Sequence, residues 1–264
     1  MLKRFTEDFK THYKYAFYSA RAQLKAEVAG SYLNWVWWVL QPFCMMIVYA
    51  IVFGVMFSAR EQYFTAFIFI GISVWDFFNR CVKQSVKMVK SNKSIVTKVY
   101  IPKFVLVLAK MLVNGFKMLI CFAIVVMLMI VYHVPVTLNV LYVIPLLIDL
   151  WLFTFGCMCI LTHFGVFVED LTNVIDIVLR FVFYLSGVMY SISHRIGESY
   201  PLYATILEKC NPVAFVMASL RECVLYGDTP GRKLILLWGL ISVVISAIGV
   251  TIIYKNENSY AKLI

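Results

Sequence analysis

The chain has 264 residues, of which 62% are hydrophobic and only 14% charged, with a formal net charge of +10. A soluble domain is nearer half apolar and a quarter charged, so this composition excludes one and indicates a single all-α bundle of membrane spans. In such a chain, excess lysine and arginine report topology first, and no nucleic-acid partner is expected.

The first 33 residues hold six Lys/Arg and three Asp/Glu. Phe5, Phe9, Tyr13, Ala16, Phe17, Ala20 and Leu24 share one helical face, with Lys3, Lys10, Lys14, Arg21 and Lys25 beside it. That pattern predicts an amphipathic helix lying in the membrane interface, its aromatics at the acyl boundary and its lysines at anionic headgroups. Packing on another subunit is the alternative; Trp35, Trp37 and Trp38, an interfacial aromatic belt, favour the membrane. No secretory signal is evident in these residues.

Six spans are predicted, near 34–58, 63–81, 103–132, 140–166, 173–192 and 234–254, each close to the ~20 apolar residues that a bilayer requires. The third is long, about 45 Å at 1.5 Å per residue, so its first turns project from the bilayer. Between the second and third lies 82–102, with five lysines and no acid. Its Val86, Val89, Ile95, Val96 and Val99 offer apolar contacts. A solvated basic loop and binding to anionic lipid both fit that composition. The loop 133–139 has no Lys or Arg, and 193–233 is nearly balanced. Both termini and the lysine-rich loop are therefore expected in the cytoplasm, with 193–233 outside. The acidic Val168-Glu169-Asp170 connection falls on the cytoplasmic side. Asn211-Pro212 is an N-cap followed by proline at the first helical position, and two half-helices dipping back into the outer leaflet are expected in 193–233. The whole chain, 1–264, is read as one transmembrane domain.

Charges inside spans are functional suspects. Lys117 and Asp149 lie at similar depth, and a pair between them would be either structural glue or part of a substrate path. Asp176 and Arg180 are spaced to pair along one helix. No metal-ligand spacing is present, and there is no phosphate-binding G-x-x-x-x-G-K-[ST] motif, so no cofactor is expected in this chain. Cys210 and Cys223 share a polar segment and could pair; the other cysteines read as small buried hydrophobes.

Four stretches in series carry a resemblance that spans nearly the whole chain. AEVAGSYLNWVWWVLQPF (26–43), SNKSIVTKVYIPKFVLVLAKML (91–112), VEDLTNVIDIVLRFVFYLSGVMYSI (168–192) and NPVAFVMASLRECVLYG (211–227) resemble the membrane subunit of ABC-2 type polysaccharide exporters, the teichoic acid and O-antigen export permeases. The chain departs from the family pattern at Asn34, Glu169 and Gly187. The resemblance implies a homodimer in the bacterial cytoplasmic membrane, paired with two copies of a separate ATPase that holds ATP and magnesium. It implies a coupling helix over Val86–Thr97, with Val86, Lys87, Val89, Lys90, Asn92, Lys93, Ile95 and Val96 meeting the ATPase: valines and isoleucine filling a groove, lysines facing acidic residues. The implied substrate is a glycopolymer on a lipid diphosphate. Arg4, Arg21 and Lys25 are candidates for its headgroup. Flat rings give sugars a stacking face, and Phe67, Trp75, Phe183, Tyr184 and Tyr190 are candidates for its path. An ABC-2 exporter of drugs or small lipids is an alternative. A membrane-bound transferase using Glu169, Asp170 and His163 is another.

Overall fold

The computed structural model describes residues 2–29, 32–33, 35–56, 61–98, 100–195 and 200–263. Asn34, the end of the predicted first span (57–58), Val99 and positions 196–199 lie outside the described residues.

Every regular element described is helical. An N-terminal helix, α1 (Leu2–Val28), precedes α2 (Val36–Tyr49), which continues as a π-helical turn over Ala50–Met56. Then follow α3 (Phe64–Val86), α4 (Lys103–Val131), α5 (Val143–Phe167) and α6 (Leu171–Leu185). Two short helices, α7 (Pro201–Lys209) and α8 (Pro212–Arg221), lead to the long α9 (Arg232–Leu263). Among the described residues, five segments are long and apolar enough to cross a membrane: Val36–Gly54, Phe64–Val86, Lys103–Val131, Leu138–Phe167 and Arg232–Glu257. The helix found in the predicted fifth span stops at Leu185, where Ser186 and left-handed Gly187 turn the chain. Its 15 residues reach about 22 Å, short of the ~30 Å hydrocarbon thickness.

Side-chain contacts fix the helix directions. Phe77 stacks on Trp151 at 5.5 Å and Thr162 donates to the Ser85 carbonyl at 3.2 Å, so α3 and α5 run the same way. Ser246 donates to the Leu152 carbonyl at 2.7 Å and His163 meets the Tyr260 hydroxyl at 2.8 Å, so α9 runs with them. Trp75 meets Phe183 at 5.4 Å and Lys83 meets Asp176 at 2.8 Å, which sets α6 antiparallel to α3. Tyr63 against Tyr132 and Gln84 against Asn114 do the same for α4. Because α5 and α9 are parallel, residues 168–231 carry the chain back to the level at which α5 began.

The most buried element is α3, with residues 66–75 almost wholly enclosed. The α5–α9 seam closes on small residues: a methyl group added at Gly156 or Gly249 would lie 2.7 Å from the opposite helix. Such close approach lets backbones pack where lipid supplies no hydrophobic force between helices.

At one end of the bundle three distant segments meet. Arg4 pairs with Glu257 at 2.5 Å and donates to Tyr100 at 2.7 Å; Tyr254 donates to Asp8 at 2.7 Å. The chain's two end helices and the close of the lysine-rich loop therefore share one face. There α1 packs on the first half of α4 through the small Ala16 and Ala20, leaving Phe9, Tyr13 and Phe17 exposed. The first turns of α4, expected to project from the bilayer, are covered by α1: Phe104 is fully enclosed, beside Phe5.

Candidate functional site: a lateral groove and a vestibule

The lysine-rich loop is not the single helix expected over Val86–Thr97. Helix α3 runs on to Val86, and two isolated turns follow, Met88–Ser91 and Lys93–Val96. Asn92 joins them, its amide donating to the Met88 carbonyl at 2.8 Å. Val86, Val89 and Val96 are buried inside this chain and Ile95 is half-buried. They are thus not the exposed apolar ridge that the resemblance implied. The reason lies in α5, where Gly165 lets the Val86 carbonyl approach so closely that any Cβ there would overlap it. Lys87, Lys90 and Lys93 are exposed, and Lys90 lies 3.9 Å from Glu169.

The predicted intramembrane charges find other partners. Lys117 pairs with Glu27 of α1 at 2.6 Å, not with Asp149. Asp149 faces Gly239 on α9, and its Oδ2 is buried with no hydrogen-bond partner. Asp176 pairs across helices with Lys83, not along α6 with Arg180. Arg180 is exposed, about 13 Å along α6 from its first residue.

The five predicted path aromatics separate into two places. Trp75, Phe183 and Tyr184 line a groove of about 280 Å³ between α2, α3 and α6, with Tyr49, Asp76 and Arg180. Phe67 and Tyr190 belong to a larger cavity of about 500 Å³ at the end away from the lysine-rich loop. The headgroup candidates also separate. Arg21 and Lys25 are exposed neighbours one turn apart, while Arg4 is 17 positions earlier, about 25 Å along the helix, and is held by Glu257. Hydrogen bonding to Glu257 raises its pKa further. One diphosphate cannot span that distance.

Sequence reasoning missed Arg221. Only 5% exposed, its guanidinium donates to the carbonyls of Phe67 (3.2 Å), Gly187 (2.9 Å) and Val188 (2.7 Å), and lies 3.5 Å over the Phe67 ring. It binds α3, the end of α6 and α8 together through main-chain carbonyls. Burial pushes its pKa down to about 9, so it stays charged at neutral pH. A lone arginine ending the apolar run VAFVMASLR was the available signal. Asp76 and Arg80, 3.4 Å apart on α3, were also missed, although their spacing marks a pair inside a span.

On the same side, Asn211 caps α8 by accepting from the backbone N–H groups of Val213 and Ala214, while its amide donates to Ser186 at 2.8 Å. Trp238, two turns into α9, donates to the Lys209 carbonyl at 3.0 Å. The α7–α8 junction therefore sits below the start of α9. Cys210 and Cys223 are unpaired, one exposed and one buried. His163 is taken up by Tyr260 and the rings of Phe164 and Phe167, and Glu169 by Lys90, so the expected acid–base cluster is not assembled.

A bundle of membrane-length helices with a charged, aromatic groove in its side is the architecture of a multi-pass membrane protein. A family profile described as ABC-2 type transporter matches residues 18–225, and the chain belongs to that family. Its relatives include the O-antigen export system permease protein RfbA of Myxococcus xanthus, 25% identical over 92% of both chains. The protein of the same name from Klebsiella pneumoniae is 24% identical over 91% of both.

Proposed function

We propose that this chain is the permease subunit of an ATP-driven exporter that moves a lipid-linked polysaccharide across the bacterial cytoplasmic membrane. It works as a homodimer with two copies of a separate ATPase. The chain crosses six times with both termini in the cytoplasm; the alternating helix directions and the parallel α5 and α9 support that count. Helix α6 with the turn after it makes the fifth crossing, and α7 and α8 form the re-entrant hairpin on the outside.

The observation that carries the reading is Arg180. A guanidinium exposed well inside the membrane cannot face lipid at tolerable cost. It lies in a groove with Trp75, Phe183 and Tyr184, surfaces on which sugar rings stack. A polar, aromatic corridor covered by a second copy satisfies both. The full-length similarity to permeases named for O-antigen export supports the same substrate class. Lys87, Lys90 and Lys93 present the charge that an acidic ATPase surface meets, and the buried valines hold them in place.

The test is a tagged chain purified from its own cells in mild detergent. The wild type retains an ATPase; Lys87→Glu/Lys90→Glu/Lys93→Glu loses it while remaining folded. Arg180→Glu keeps the ATPase but leaves lipid-linked glycan in the inner leaflet. Absence of an ATPase from the wild type, or unimpaired export by Arg180→Glu, would overturn the proposal.

A further inference from the structure

Arg180 is exposed on α6, and among the described residues it has no hydrogen-bond or ion-pair partner. The groove of about 280 Å³ that it lines also takes in Asp76, Asn79 and Lys83 from α3. The nearby carboxylates are already matched. Asp76 pairs with Arg80 at 3.4 Å, and Arg80 lines a separate small cavity with Asp76, not the groove. Asp176 holds the Lys83 ammonium at 2.8 Å. The Arg180 guanidinium is left over, and Asn79 offers the same groove an amide.

The groove lies on the flank formed by α2 and α6, where Phe181 and Tyr184 are exposed and α2 is scarcely buried. What reaches it enters from the side, as a lipid does. Asp176 and Arg180 are one turn apart, about 6 Å along α6, and Lys83 sits in the last turn of α3. Cα–Cβ bonds tilt toward a helix N-terminus, which carries Arg180 toward the level of Lys83. The two cations therefore share the end of the groove nearest the lysine-bearing turns, and Phe183 and Tyr184 follow farther along α6. A guanidinium fork binds two phosphate oxygens at once, and an ammonium binds a third as a point charge. A phospholipid diester carries a single negative charge, which Arg180 balances alone. A diphosphate carries more, and competes for Lys83 as well.

We propose that Arg180 and Lys83 form a site for a lipid-borne diphosphate at the mouth of the lateral groove, with Asp176 as the competitor that the ligand displaces from Lys83. The inference rests on the polysaccharide-export reading and gives the headgroup a place other than the separated Arg4, Arg21 and Lys25. Asp176 then determines specificity: by occupying Lys83 it raises the charge that a ligand needs in order to engage both cations.

The experiment uses the full chain with its ATPase in phosphatidylcholine nanodiscs and follows radiolabelled farnesyl diphosphate by scintillation proximity, with counts on empty discs subtracted. The wild type binds it saturably; farnesol and dihexanoyl phosphatidylglycerol compete about tenfold more weakly than unlabelled diphosphate, or worse. Arg180→Gln weakens binding about tenfold, and Arg180→Lys restores only part, because an ammonium lacks the fork. Lys83→Gln weakens it too. Asp176→Asn tightens it, a gain that misfolding cannot produce, and has no effect in the Lys83→Gln background. Four results overturn the inference. No saturable binding removes the site. Phosphatidylglycerol competing as well as diphosphate assigns it to ordinary phospholipid. Weakening by Arg21→Gln/Lys25→Gln in place of Arg180→Gln moves it to α1. An Asp176→Asn effect that survives Lys83→Gln removes the exchange of partners. Retention of the ATPase, scored in the same preparation, judges the export reading separately. A chain that keeps its ATPase but gives any of these results fails only here.

Discussion

Arg221 shows how one side chain can define a region of a membrane protein. Its value lies in the three carbonyls that it satisfies, on segments 33 to 154 positions away in sequence. Each carbonyl stranded in the interior costs about 1–3 kcal/mol. Arg221→Met is therefore expected to lower stability by about 3 kcal/mol or more, seen as a large drop in detergent melting temperature. Arg221→Lys should recover little, because an ammonium lacks the planar fork that reaches three acceptors at once. Near-full recovery by lysine would show that charge alone matters. Glu222 gives a pH-dependent counterpart. Burial first, then Glu208 and Asp228, raise its carboxyl from the ordinary 4.5 to about 6, opposed by Lys209. Arg221, Tyr226 and Glu61 share its cavity. The fold thus favours the protonated form. Its contribution is fully present below about pH 4.5 and is lost as the pH rises through 6. Glu222→Gln should flatten the melting temperature between pH 4.5 and 6.5 and raise it above that range; an unchanged profile would assign the slope to another group.

At the scale of elements, the spans were legible and the connections were not. Long apolar runs gave α2, α3, α4, α5 and α9 to within a few residues at most ends, because lipid leaves the backbone no option but helix. Residues 82–86 were assigned to the loop for their lysine and polar side chains, yet they are the last turn of α3. What lets Val86 pack against α5 is Gly165, 79 positions away, and periodicity carries no information about an absent side chain. The same limit applies to the charge pairs. Lys117 and Asp149 matched in depth, but depth does not give rotation about the helix axis, and Glu27 on α1 was nearer. Gly165→Ala tests this directly. It should cost about 1–3 kcal/mol by overpacking and shift the lysine-bearing turns, weakening ATPase retention without touching a lysine. Retention equal to the wild type would show that the turns are positioned by something other than the α3–α5 contact. Val86→Glu, buried rather than exposed, should abolish folding outright, so its loss of partner binding would not report on docking.

At the scale of the whole molecule, the chain is lopsided. Helices α3 and α8 are enclosed, whereas only 11% of the best apolar window in α2 is buried, and Phe181 and Tyr184 on α6 are 66% and 68% exposed. Under the proposed homodimer, a second copy seated over the α2–α6 side brings Tyr184 near its counterpart. In a Cys44→Ser background, Tyr184→Cys should form a disulfide-linked dimer on oxidation in native membranes, and Leu236→Cys, on the exposed side of α9, should not. The reverse result would place the second copy on the opposite flank.

The meeting of Arg4, Tyr100 and Glu257 also bears on how the protein is made. Glu257 leaves the ribosome 253 residues after Arg4. At about 5–20 residues per second the wait between them is roughly 10–50 s. Until then α1 lacks its anchor, and Tyr100, at the close of the lysine-bearing loop, lacks the carboxylate it bonds at 3.1 Å. The end of the bundle that carries the lysine-bearing turns is thus completed only when α9 has been translated. Under the export proposal, an ATPase that docks on this end meets its finished surface only after α9 has emerged.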